Sequence, residues 1–144
     1  MNNMNSVREE LKQQRRVDAR KSFIQELNDV GGYFNLAEVS KYLNLSYDEI
    51  NSLNSKRAIL AFTLENEEIY PKFQFDDNKI IPKYSELLPL FNVSNLTATS
   101  FMMTGYIKRD GEDVPYYALM KNITDEEYKI VKHDAVFFGS STAH

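Results

Sequence analysis

The sequence contains no cysteine and no tryptophan. Without cysteine there is no disulfide, no zinc–thiolate centre, no iron–sulfur cluster and no thiol nucleophile. Histidine occurs twice, proline four times and glycine five times. Two of the glycines are adjacent at Gly31-Gly32, and none builds a phosphate-cradling loop. No apolar run approaches the roughly 18 residues of a membrane span, so no membrane partner is expected. The polar start Met1-Asn2-Asn3-Met4 lacks a signal-peptide pattern, and the expected compartment is the cytoplasm.

What is present describes a folded chain. Hydrophobic residues make up 42% and aromatics 12% of 144 residues, too much apolar surface for a disordered protein. The formal net charge is −4, but it is unevenly placed. Residues 1–22 carry six basic side chains, Arg15, Arg16 and Arg20 among them, against three acids. A basic arm before an acidic body is either a solvated helix or a segment with its own partner.

Four sequence patterns announce helix starts: Ser6-x-x-Glu9, Asn35-x-x-Glu38, Ser46-x-x-Glu49 and Thr124-x-x-Glu127. In each, the first side chain can accept from an orphan backbone N–H, and the Glu can reach back to the cap residue's own N–H. The first helix is expected from about Val7 to Asp29, ended by Gly31-Gly32. Leu36, Val39, Tyr42 and Leu43 share one helical face, and after a turn at Asn44-Leu45 a second short helix carries Ile50 and Leu53 inward. This is a helix-turn-helix pattern. The runs Ile59–Leu64 and Ile69–Phe75 flank a polar turn and read as a β-hairpin wing, with Pro71 at a strand end or edge. The second half reads as helical, apart from a polar loop at 108–113, with Pro115 opening one helix and Thr124 capping the last. The fold class expected is mainly α: a basic arm (1–32), a winged helix-turn-helix (33–80) and a helical partner-binding domain with a short tail (81–144).

Constellations for catalysis are missing. His133 has only its sequence neighbour Asp134 as a nearby acid, which does not make a catalytic triad. Asp76-Asp77-Asn78 and Asp110-Gly111-Glu112-Asp113 lack calcium-loop spacing and read as turns. No enzyme activity, metal or cofactor is expected. Nucleic-acid binding has better support. Asn51 and Asn54 on the second helix suit adenine edges, while Lys56, Arg57 and the arm residues Arg15 and Arg16 suit phosphates. Asp48 and Glu49 in the first turn, and the acidic wing tip at 65–68, oppose it. DNA binding and a helix-turn-helix kept only as a scaffold both remain open.

The string Ile69-Tyr70-Pro71-Lys72-Phe73-Gln74-Phe75-Asp76 resembles the YPxxQFD segment of the Xre/MbcA/ParS antitoxin family. Residues 36–46 resemble that family's helix-turn-helix, and Ile59–Phe62 the strand before its wing. Ile81-Pro82, Phe101–Thr104 and Val114–Leu119 resemble later segments of its toxin-binding half. The likeness spans roughly residues 33–135, with Val114 where Thr is usual and Phe73 where Trp is common. It implies an antitoxin that neutralises a toxin, commonly a RES-domain enzyme acting on NAD, represses its own operator DNA and forms a homodimer. The rival readings are a stand-alone DNA-binding regulator and a protein-binding adaptor with a vestigial helix-turn-helix. The partner surface is expected after Thr104, at Tyr116 and Tyr117 and at Phe137 and Phe138 beside the tail; the alternative for the two phenylalanines is that both pack on the protein's own dimer interface. Read from the residues alone, Tyr70, Phe73 and Phe75 are core aromatics that dock the wing, and Gln74 and Asp76 are satisfied polar groups at that junction.

Overall fold

Three of the four capping patterns close as expected in the computed structural model, which describes residues 3–138. Asn35, Ser46 and Thr124 each accept from the backbone N–H three residues on, while Glu38, Glu49 and Glu127 accept the cap N–H in return. Ser6 does not cap a helix. It lies inside α1, which runs over Asn3–Asp29.

The fold is mainly α. After α1 come β1 (Tyr33–Phe34), α2 (Leu36–Leu43), α3 (Tyr47–Ser55), β2 (Phe62–Leu64) and β3 (Glu67–Pro71). These pair antiparallel in the order β1-β3-β2, with Phe62 opposite Ile69 and Phe34 opposite Tyr70. One strand before the helix-turn-helix and two after it, in that order, is a winged-helix topology. Pro71 is the last residue of β3. A 3-10 turn at Lys72–Gln74 leads into β4 (Phe75–Asp76) and β5 (Lys79–Ile80). The helical half is α4 (Pro82–Leu87), α5 (Asn95–Thr104), α6 (Tyr116–Leu119) and α7 (Asp125–Phe137). Pro82 starts α4, and a 3-10 turn holding Pro89 follows it at Leu88–Leu90.

One expectation fails in this half. Residues 106–115 are not a loop followed by a helix but a hairpin, β6 (Tyr106–Arg109) with β7 (Glu112–Pro115). Pro115 ends β7 and serves as the N-cap of α6 instead of its first helical residue. The turn chemistry explains the hairpin. Among the described residues, the three tight hairpins each turn through two residues at positive φ: Glu65 and Asn66, Asp77 and Asn78, Asp110 and Gly111. Such turns twist in the sense of the strands they join, and Asn, Asp and Gly tolerate them best.

Two cores meet at a partition. The larger gathers Leu27 of α1, Leu60, Ile69 and Phe73, and the inward residues of α4 to α7, including Tyr84, Met102, Leu119, Tyr128, Val131 and Ala135. It therefore draws on all three expected segments. The smaller holds Val39, Ile50, Ile59, Ala61, Tyr70 and Phe75. Successive residues at 59–61 and 69–70 point into opposite cores, as alternation along extended chain requires. Gln74, fully buried, stitches this partition. Its Oε1 accepts from Leu60 N–H at 2.7 Å, and its Nε2 donates to Leu60 O and Pro71 O at 2.8 and 3.0 Å. Gln74 is thus the satisfied junction group expected, whereas Asp76 is exposed.

Candidate nucleic-acid and partner interfaces

Helix α3 is fixed from below by Ile50, fully buried, and Leu53, half-buried. At about 100° per residue, the face opposite these two carries Asp48, Asn51, Ser52 and Ser55. All four are exposed, as is Lys56 just beyond. Among the described residues the Asn51, Ser52 and Lys56 side chains have no hydrogen bond or ion pair, while Ser55 Oγ donates to Asn51 O. Asn54 falls at the edge of this face and is half-buried. Asp48 sits near its middle, one turn before Asn51 and Ser52.

Arg57 is placed differently from the expectation. It follows the C-cap Lys56 at φ 53, with Arg57 N–H bonded to Asn54 O and Ala58 N–H to Leu53 O. This is the paired-bond helix ending in which glycine is the usual residue. The guanidinium turns away from solvent. It donates to Phe91 O at 2.8 Å, Val93 O at 2.9 Å and Asn95 Oδ1 at 2.9 and 3.2 Å. Asn95 Nδ2 in turn donates to Ala61 O at 2.8 Å. A guanidinium so occupied joins α3 to the helical half and is not presented to a phosphate. The sequence signal for this was thin: a basic residue directly after the helix, with no glycine to end it.

The wing and the arm are linked. Phe23 of α1 meets Phe62 of β2 edge-to-face at 5.7 Å, and Arg20 Nε donates to Glu65 Oε1 at the wing tip at 2.7 Å. N-terminal to Val17, which is half-buried beside the sheet, the helix leaves the body. Arg15 and Arg16 lie on this projecting part, both exposed, with Arg16 donating to Gln13 Oε1. Between α1 and the sheet lies an open cavity of about 440 Å³, bordered by Arg20, Lys21, Ile24, Tyr33 and Glu67. On β3, Tyr70 donates from its hydroxyl to Glu68 Oε2 at 2.7 Å. Burial, then that carboxylate, push the Tyr70 hydroxyl well above its ordinary value.

The four expected partner residues divide. Tyr116 is only 4% exposed: its ring packs on Phe101 at 5.1 Å and its hydroxyl donates to Asp134. It is a core residue and not a docking anchor. Burial first, and Asp134 second, raise its hydroxyl above the usual range. Tyr117 is half-buried against Phe73 at 5.6 Å. Phe138, just past the end of α7, folds back onto Phe101 at 4.9 Å. Phe137 is 56% exposed and lies 4.7 Å from His133. With Thr104, His133 and the Phe101 and Phe138 rings, it borders an open groove of about 470 Å³. The remainder of the expected tail, Gly139 to His144, lies outside the described residues.

His133 Nδ1 is 3.7 Å from Asp134 Oδ1 on the exposed side of α7. Among the described residues no three potential metal-ligating side chains gather, and no helix is long and apolar enough to cross a membrane.

No protein-family model and no curated protein matches the chain. Among solved structures, the fold is similar to the NMR structure of Rv2175c, with a TM-score of 0.58 at 13% identity over 72% of this chain and 80% of that one.

Proposed function

We propose that this chain is a non-enzymatic, antitoxin-type regulator of the cytoplasm, with operator DNA on one side and a toxin protein on the other. The observation that carries this reading is the exposed face of α3. Asn51, Ser52 and Lys56 stand free on a winged helix-turn-helix whose opposite side is fastened to the helical half by Arg57. A bidentate Asn–adenine contact contributes about 1–3 kcal/mol of discrimination. Arg16 and Lys56 would supply the salt-sensitive phosphate attraction. On the other side, the groove at Phe137 and His133 would receive the toxin, a RES-domain enzyme by the family resemblance. The resemblance of residues 69–76 to the antitoxin segment supports the same reading.

The test has two arms. Fluorescence anisotropy with DNA upstream of the chain's own gene should show binding that weakens steeply with salt and weakens further in Asn51→Ala. Co-expression with the product of the adjacent gene should give a complex that purifies intact. Asp48 on the α3 face and the acids at 65–68 favour a second reading, a protein-binding adaptor with a vestigial helix-turn-helix. Absence of DNA binding at low salt, with the protein complex intact, would select it.

A further inference from the structure

Among the described residues, nothing packs against the first half of α1. Residues 5–16 are exposed throughout, and Val7 and Leu11 are 50% and 52% exposed. An isolated helix of this length is marginal in water, and most helical stability comes from packing an apolar face. The body of the protein cannot cover this one. Leu11 and the fully buried Leu27 are 16 residues apart, which at about 100° per residue puts them about 160° apart around the axis. The stripe of Val7 and Leu11 therefore points away from the face by which α1 docks.

The flanking charges say what fits there. With Leu11 at a and Val7 at d of a heptad, the sequence continues the repeat at Met4 (a) and Gln14 (d). Glu10 then falls at g and Arg15 at the next e. Neither makes an ion pair among the described residues, although Lys12 and Glu9 do so nearby. In a parallel pair of helices, g of one chain faces the following e of the other. Two copies in register would set Glu10 against Arg15 twice, once on each side of the two-fold axis. An antiparallel pair brings e against e, with Arg8 and Arg15 repelling. Lys12 and Arg16 fall on the outer positions b and f, free for other contacts. The seam is short. It ends at Asp18, an a position whose side chain accepts from Gln14 at 3.0 Å and whose charge on a second copy would force the helices apart.

We propose that the projecting half of α1 is a self-association surface, pairing with the same segment of a second copy as a short parallel coiled coil, with the two bodies on its outer sides. The pairing stands whether or not α3 reads DNA, so this proposal and the functional one fail separately.

The absence of cysteine makes the test direct. In the full chain, Leu11→Cys should oxidise rapidly to a disulfide-linked dimer, because a positions face each other in a parallel pair. Arg16→Cys should not. In sedimentation, Leu11→Asp should convert dimer to monomer with the thermal unfolding of the body unchanged. Glu10→Arg and Arg15→Glu should each weaken the dimer several-fold, and the two together should restore it. A chain that is monomeric at all concentrations would overturn the proposal, as would a dimer indifferent to Leu11→Asp. Equal cross-linking at positions 11 and 16, or a charge swap that fails to restore pairing, would overturn it as well.

Discussion

Arg57 and Asn95 meet through a single oxygen: both Nε and Nη2 of the arginine donate to Asn95 Oδ1. Because Asn95 Nδ2 donates onward to Ala61 O, three segments are tied at one point. They are the end of α3, the start of α5 and the approach to β2. The left-handed backbone at Arg57 costs about 1–2 kcal/mol for a residue other than glycine. The fork of hydrogen bonds offsets that cost.

Arg57→Ala should therefore destabilise the fold by about 2–3 kcal/mol, because it leaves the Phe91 and Val93 carbonyls and Asn95 without their donor. Arg57→Gly removes the same bonds but relieves the backbone, so it should recover about 1 kcal/mol relative to Ala. Urea unfolding of the three proteins checks this order. A glycine variant as stable as the parent would show that the guanidinium contributes nothing net.

Gln74→Leu should cost about 3 kcal/mol or more, since it orphans the N–H and C=O of Leu60 in the partition between the cores. Gln74→Glu should be no better, because a carboxylate cannot donate to Leu60 O or Pro71 O. Urea midpoints measure both. A Glu variant near parental stability would mean the donor side of the amide is dispensable.

Acid should act through Glu127. Its carboxyl is held down to about 2, first by the bonds from Arg109 at 2.6 and 2.9 Å and then by the N–H of Thr124. A carboxyl with a lowered folded-state pKa contributes stability above its unfolded value, and that stability is lost as pH falls toward the folded one. The melting temperature should fall between about pH 5 and pH 2, and Glu127→Gln should flatten that part of the curve. Parallel acid titrations of the two proteins would refute this if they had the same slope.

Gly105→Ala should be destabilising by about 1–3 kcal/mol through crowding and not through backbone strain. A Cβ there would stand 2.4 Å from the Tyr116 ring, while φ at Gly105 is −70, open to any residue. The displaced ring would also lose its bond to Asp134. Thermal unfolding of the two proteins measures the loss.

The two C-terminal phenylalanines should separate. Phe138→Ala removes a ring packed on Phe101 and should lower stability by about 1–2 kcal/mol. Phe137→Ala, at a ring that is 56% exposed, should cost less stability than Phe138→Ala. It should weaken capture of the adjacent gene's product about tenfold or more if Phe137 is the anchor. Undiminished capture by Phe137→Ala would move the partner surface elsewhere.

Local signals were legible where chemistry and conformation coincide. Asn35, Ser46 and Thr124 announced helix starts because a cap needs only its own next three residues. Asp77 and Asn78 announced a turn because their side chains tolerate positive φ. Asp110-Gly111 gives the same signal, but the strands around it are hard to see in the sequence, since Lys108, Arg109, Glu112 and Asp113 offer little apolar alternation. What stayed hidden was long-range. That Arg57 reaches Phe91, or that Tyr116 reaches Asp134, depends on how helices pack, and a basic or aromatic side chain next to a helix end looks the same whether it faces water or protein. Asn54 departs from expectation by a smaller margin, its helical angle placing it half-buried on the rim of the exposed face.

The partition at residues 59–61 and 69–75 bears on how the molecule comes apart. Because neighbouring residues there serve different cores, neither core can loosen without dragging the shared strand out of the other. Melting followed by tyrosine fluorescence and by far-ultraviolet dichroism should thus trace one coincident transition for residues 17–138. The Leu60 amide belongs to no strand, yet it should exchange its proton with solvent only through that global opening, as slowly as the amides of the central strand.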